Sequence, residues 1–335
     1  MKIGFTTKVK FVLALAIATP GIPEYLSGSW NLSLLFSHPV NFLAFLLFNL
    51  GLYTSGAILI REFAARFNKG WFSIFLMGCA YGIVEEAIAL HTFFQVTGSP
   101  VGFLGTYGRF IGVDWVWAFG LAIFHAVFSI TLPILLISIA YPDYSNKKIL
   151  GKSGVAFFMV IYGLMVIVLN FIINHTSARP VPTYPDYLFS TVIALILVVI
   201  AYFLPRDFLH FRGKTGNSTL ILYFIGLLIY PVYNLFAFIP VNAAIVTRIS
   251  PILDILIHLI LFCLMGAGII YLMPSKDNKI QKFALAAGAL TSLMYVSLKY
   301  ELNGTAPFII ILILIAIALL YRLWIIANKP DLERM

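Results

Sequence analysis

Charge is what this 335-residue chain has least of: 10% of its residues are Asp, Glu, Lys or Arg, against 61% apolar. Soluble globular proteins carry about 25% charged and about 45–50% apolar residues. So little polar surface cannot cover a water-soluble fold, and a disordered chain would need far more charge to stay solvated. Cysteine is nearly absent as well. Its two copies, Cys79 and Cys263, both fall inside apolar runs, which excludes a disulfide framework and any Cys-x-x-Cys motif. There is no phosphate-binding glycine loop and no nucleophile elbow, so ATP-driven transport and serine-hydrolase chemistry lack sequence support. No polar connection is long enough to hold a soluble domain.

Long apolar runs, in contrast, are plentiful. A bilayer core of ~30 Å takes about 20 residues per helix. Ten runs qualify, at about 9–27, 39–61, 71–95, 113–140, 154–174, 187–204, 218–239, 250–273, 281–299 and 306–327. They predict an all-α polytopic transmembrane bundle, with residues 1–335 forming one integral membrane domain. Charge placement sets its orientation. With both termini cytoplasmic, 18 of the 22 Lys and Arg residues lie on the inner side and four outside: Arg109, Arg179, Arg248 and Lys299. Positive residues are retained on the cytoplasmic side, so the net charge of +9 is a topology signal and not a nucleic-acid footprint. The expected location is a plasma membrane, with the lipid bilayer as the chain's first partner.

Within the first span, Lys8, Lys10 and the apolar run that follows are compatible with a cleaved signal peptide. Thr19-Pro20-Gly21-Ile22-Pro23 lacks the small-x-small cleavage pattern, which favours a kinked anchor helix with Glu24 near the outer surface. Trp30, Trp115, Trp117 and Tyr230 fall near span ends, where aromatic belts form. Arg61 and Glu62 are expected as a headgroup-level anchor. His38, His175 and His210 belong to loops or span edges.

An ionisable side chain at mid-bilayer costs roughly 2.5–3.5 kcal/mol on insertion scales and is a functional candidate by default. Six qualify: Glu85, Glu86 and His91 on the third span, His125 on the fourth, Asp254 and His258 on the eighth. At ~1.5 Å per residue, Glu85 and Glu86 lie about 3–5 Å outward of their helix middle, His125 near the middle of its own, and His258 about 5 Å outward. Four costly groups on three helices thus share one slab. His91 lies near the end of its helix and is expected at the interface.

Direction points the same way. Gly78-x-x-x-Gly82 makes a small-residue face that admits another helix closely, and Glu85 and Glu86 follow Gly82 by three and four residues, flanking that face. Asp254 and His258 stand one helical turn apart and can touch; His125 and Ser129 repeat the spacing. Asp254 and Ser129 would then orient their imidazoles, leaving the other ring nitrogen for a proton or a metal. Adjacent carboxylates in low dielectric do not both ionise cheaply, so such a pair shares a proton unless a cation neutralises it.

The order Glu85-Glu86, then His125, then His258 resembles the CAAX-protease and bacteriocin-processing family of intramembrane proteases. That family's first motif ends in Arg where this chain has Leu90. Its second begins with Phe where this chain has Leu121, and Phe262 stands where the family has Asn. The resemblance implies a catalytic set of Glu85, Glu86, His125 and His258. A second string is similar to a group of uncharacterised bacterial and archaeal multispan proteins. It runs Ile60-Arg61-Glu62, Gly70-Trp71, Tyr81-Gly82-x-x-Glu85-Glu86, Val113-Asp114-Trp115-x-Trp117 and His125-Ala126-Val127-x-Ser129-Ile130-x-x-Pro133. It implies a prokaryotic source and the same architecture.

Three functions remain open on the residues. An intramembrane hydrolase would use Glu85 or Glu86 to activate water, with Glu86, His125 and His258 holding a divalent metal such as zinc or with the histidines stabilising an oxyanion. Its substrate would be a membrane-embedded peptide or lipid, gated by the glycine-rich outer loop at 98–112. A proton- or cation-coupled transporter would use the same carboxylates as carriers. A non-catalytic scaffold would use them only as hydrogen-bond glue between helices.

Overall fold

The computed structural model describes residues 5–29, 40, 42–43, 47–98, 100–177, 179–213, 218–237, 249–274, 278–302 and 309–328. The architecture is all-α. Helix α1 (Phe5–Pro20) runs into a π-helical turn (Gly21–Leu26), and α2 (Ser55–Arg66) is entered through another (Leu47–Thr54). Helix α3 (Trp71–Ile83) continues as the π turn Val84–Ala89. Helix α4 (Trp115–Ala140) has a π turn, His125–Thr131, at its centre. Then follow α5 (Lys152–Thr176), α6 (Tyr184–Phe203), α7 (Thr219–Ala237), α8 (Pro251–Leu272), α9 (Lys279–Leu302) and α10 (Ile309–Asn328).

Among the described residues, seven helices are long and apolar enough to cross a membrane: α1, α3, α4, α5, α6, α8 and α10 with their π extensions. This is the apolar helical bundle of a membrane protein. Local sequence marks several helix starts. Thr183 and Asp186 form a capping box before α6, and Ser250 accepts the Leu253 amide before Pro251 opens α8.

Burial separates centre from periphery. Two-thirds of the apolar stretch of both α3 and α4 is buried, against none of α5 and 6% of α8 and α10. The outer helices therefore present broad apolar faces, suited to lipid chains. Helices α7 and α9 approach to backbone contact. A Cβ added at Gly226 would meet the Leu285 carbonyl oxygen at 2.2 Å, and one at Gly288 the Tyr223 oxygen at 2.0 Å. Small residues make such crossings possible.

Arg61 and Glu62 are an internal clamp and not a headgroup anchor. Both are buried. Arg61 donates to Glu62 at 2.5 Å and to the Tyr144 carbonyl, while Glu62 Oε1 also accepts the Ile149 amide at 2.8 Å. The pair fastens the 141–151 connection onto α2.

Helix α3 and its π turn stop at Ala89, short of the expected limit at 95. His91 turns the chain away in the left-handed region (φ 60°) and Thr92–Phe94 form a short 3₁₀ turn. A two-residue hairpin pairs Arg109–Phe110 with Val113–Asp114 ahead of α4. Ile111 (φ 49°) and Gly112 (φ 78°) supply the two positive φ angles that its tight turn requires.

Asp114 is fully buried beside Arg109, 2.6 Å away. Burial pushes its carboxyl up from 3.8 to about 7, and Arg109 only partly opposes this. The folded state therefore keeps a proton that the unfolded chain has released. This contribution to stability is full below about pH 4 and is lost as pH rises through about 7. Asp114→Asn is expected to flatten that part of the stability–pH curve, measured by unfolding in detergent at fixed ionic strength.

Candidate functional site: a buried carboxylate–imidazole centre

The glycine face of α3 positions the centre. A Cβ at Gly78 would fall 2.7 Å from Ala126 Cα, and one at Gly82 2.9 Å from His125 Cβ. With only hydrogen at both positions, α3 packs directly on α4, and the residues one turn beyond Gly82 arrive beside His125. Its Nε2 lies 3.0 Å from Glu86 Oε1. Its Nδ1 lies 2.9 Å from Ser129 Oγ and 3.1 Å from Glu85 Oε2. One imidazole thus stands between two carboxylates, and all three side chains are buried.

Glu86 is tied further. Thr92 Oγ1 donates to its Oε2, and Trp117 Nε1 donates to Thr92 Oγ1 at 3.2 Å. Glu85 is the less tethered acid. Among the described residues no aligned hydrogen bond reaches its oxygens, although the Tyr53 and Tyr81 hydroxyls lie within hydrogen-bonding distance of its carboxylate. Aromatic rings close the surroundings: Phe124 meets the His125 ring edge-on at 5.5 Å, with Tyr81 at 6.0 Å and Tyr53 at 6.2 Å.

A third carboxylate belongs to the centre. Glu24 is buried, accepts from the Tyr53 hydroxyl, and stands within electrostatic reach of both His125 and Glu86. Reading the chain by depth alone places Glu24 near the outer surface and apart from the other acids; the structure buries it, in the π turn after Pro20, against Tyr53. Tyr53, Tyr81, Thr92 and Trp117 also escape a sequence reading, since aromatic and hydroxyl residues in apolar runs look the same whether they face lipid or a site.

The backbone shares one feature across the centre. Glu24, Tyr53, the Glu85–Glu86 pair and the His125–Ser129 pair all lie in π-helical turns, from four different segments. A π turn inserts extra backbone into a helix, and such turns occur frequently at functional sites.

The broken end of α3 is held from outside. Asn170 on α5 donates to the Ile88 carbonyl at 2.7 Å, and Arg179 donates to the Leu90 carbonyl at 2.7 Å. His91, expected at an interface, is fully buried, with its Nε2 2.8 Å from Asn170 Nδ2 and 3.1 Å from the Tyr187 hydroxyl. These contacts fix the segment that leads to Thr92 and hence Glu86.

The second acid–imidazole pair lies elsewhere. His258 Nδ1 contacts the Asp254 carbonyl at 2.9 Å and its Oδ1 at 3.1 Å, within α8. His258 lines a small cavity with Val116, Phe119, Gly120 and Tyr233, outside the Glu85–Glu86–His125 group.

The three-residue group passes a first metal test. One ligand atom from each of Glu85, Glu86 and His125 lies within 4.8 Å of the others. Tetrahedral zinc with bonds near 2.0–2.1 Å separates its ligand atoms by about 3.3 Å. The 3.0 Å between His125 Nε2 and Glu86 Oε1 is close to that edge, while Glu85 would have to draw in.

Comparison of the chain with protein-family models, curated proteins and solved structures finds no match. The centre's own chemistry is therefore the ground for a functional reading.

Proposed function

We propose that the chain is a membrane-embedded hydrolase of a prokaryotic plasma membrane, with both termini cytoplasmic and a peptide or lipid in the bilayer as substrate. The single observation behind this reading is the buried His125 imidazole set between Glu85 and Glu86. Glu85, the less tethered acid, takes a proton from water as its oxygen adds to a carbonyl carbon. Glu86, fixed by Thr92, holds the imidazole in orientation. His125 passes a proton to the leaving nitrogen or oxygen as its bond to carbon breaks. A divalent metal, if held by Glu85, Glu86 and His125, would polarise the carbonyl and acidify the water.

A carrier coupled to protons or cations is the second reading, and Glu24 favours it. It adds a third carboxylate, from the π turn that continues α1, to the acids that would carry the proton or cation.

Two measurements on detergent-purified protein separate the readings: metal content, and turnover of bilayer-embedded ester and peptide substrates. The hydrolase reading expects products from the wild type and none from Glu85→Gln or His125→Ala. It also expects any bound divalent metal to be lost in Glu86→Gln and His125→Ala. Metal-free protein that turns over no substrate but drives pH-dependent uptake into vesicles would overturn it in favour of the carrier.

A further inference from the structure

Where α2 and α6 end side by side, two cations stand without an acid. Asn68 takes the left-handed conformation (φ 52°) and closes α2, with the Lys69 amide donating to the Ala64 carbonyl at 2.8 Å. The turn brings Lys69 back onto α6. Its Nζ donates to the Leu204 carbonyl at 3.1 Å and lies 5.2 Å from the centre of the Tyr202 ring. Arg206, just beyond α6, donates to Asn68 Oδ1 at 2.6 Å. The two segments meet at backbone level, since a Cβ added at Gly70 would fall 2.1 Å from the Arg206 carbonyl oxygen. Lys69 and Arg206 are thereby held on each other's segments.

A backbone carbonyl and a side-chain amide neutralise neither charge. Among the described residues, neither cation forms an ion pair. An ammonium has three donors and a guanidinium five, so both keep donors for a further acceptor.

Beside the cations lies an aromatic cleft between the two helices. Phe67 meets Tyr202 edge-on at 5.3 Å, Phe63 packs on Phe67 at 4.8 Å, and Tyr202 contacts Phe203 at 5.3 Å. Phe67, Tyr202 and Phe203 are exposed. Fixed positive charge with apolar rings next to it complements a molecule that joins an anionic head to hydrocarbon tails. A zwitterionic lipid brings no net charge to the two cations, and a free phosphate leaves the rings uncovered. With the orientation proposed above, this end meets the cytoplasmic leaflet, whose surface is made negative by anionic lipids.

We propose that Lys69 and Arg206 hold the phosphate of one anionic phospholipid, whose acyl chain lies in the cleft formed by Phe67, Tyr202 and Phe203. The ammonium and the guanidinium donate to phosphate oxygens, and the rings cover chain methylenes. The inference needs only that the chain lies in a membrane, and is independent of the chemistry at Glu85, Glu86 and His125.

The test is native mass spectrometry of the full chain in detergent, titrated with dioleoyl-phosphatidylglycerol, dioleoyl-phosphatidylcholine and inorganic phosphate. One phosphatidylglycerol is expected to bind more tightly than any phosphatidylcholine and to survive an excess of inorganic phosphate. Removing one charge of this kind weakens attraction to anionic lipid about fivefold. Lys69→Gln and Arg206→Gln are each expected to lose about that much affinity for the first lipid, and Phe67→Ala to weaken it as well. Lys69→Arg keeps the charge and is expected to keep the lipid. The paired change Lys147→Gln and Lys148→Gln removes two exposed charges from the 141–151 connection, and is expected to leave that first lipid in place. An equal loss in this paired variant would overturn the site, because net charge alone would then account for binding. Equal retention of the two lipids, or displacement by inorganic phosphate, would overturn it too. So would a dimer that Phe67→Ala dissociates, since a second copy would then fill the cleft.

Discussion

His125→Ala is expected to lower folding stability by about 3–5 kcal/mol, the cost of removing one partner from a buried charged pair. Among the described residues the imidazole is the one group that touches both Glu85 and Glu86, at 3.1 and 3.0 Å, and all three are buried. Without it two acids face each other, with Glu24 nearby and, among the described residues, only Arg179 as a basic group within electrostatic reach of Glu86. Unfolding in mixed detergent, followed by tryptophan fluorescence, reads the loss. Adding Glu85→Gln and Glu86→Gln to His125→Ala is expected to recover part of it, since the stranded acids would then be neutral amides. A loss under about 1 kcal/mol for His125→Ala alone would mean that the acids do not depend on the imidazole.

Gly78→Val is the second large effect. Its Cβ would sit 2.7 Å from Ala126 Cα, and backbone cannot step aside as a flexible side-chain tip can. Overpacking of this kind costs about 1–3 kcal/mol. It also wedges α3 from α4, so the variant is expected to lose both stability and whatever metal or proton binding the centre supports. Gly163→Ala on α5 is the control. Among the described residues a Cβ there meets nothing within 4 Å, and alanine favours helix over glycine by about 1 kcal/mol. Equal behaviour of the two variants would contradict the close α3–α4 crossing.

Part of this centre is legible in the sequence. The Gly78–Gly82 spacing, the acids one turn further on and a histidine at matching depth on the next span together point to one meeting place. Local rules suffice there, because the two helices are consecutive and their relative depth follows from residue counts. They fail for Glu24. The facing of a residue assumes a regular α-helical period, and the π turn after Pro20 breaks that assumption. A single sequence carries no mark of the extra residue that makes a π turn. His91 fails for a related reason: its left-handed backbone redirects the chain, so a helical extrapolation through residue 95 misplaces it. Arg61 and Glu62 were indistinguishable from interfacial anchors, because their partners, Tyr144 and Ile149, lie more than 80 residues away. Residue counts give His258 the same expected depth as the other acids and imidazoles, but depth fixes one coordinate only. Its position around the bundle depends on α8 packing with α7 and the first half of α4, which no local pattern encodes.

A double-mutant cycle between Glu86 and His125 tests the account most directly. Unfolding free energies of wild type, Glu86→Gln, His125→Ala and the double variant isolate the pair's coupling. Contact at 3.0 Å in a buried setting predicts a coupling within the range of about 0.5–3 kcal/mol seen for touching residues, toward its upper end. Strict additivity of the two single changes would contradict it, because groups that never meet inside the membrane cannot feel each other's loss.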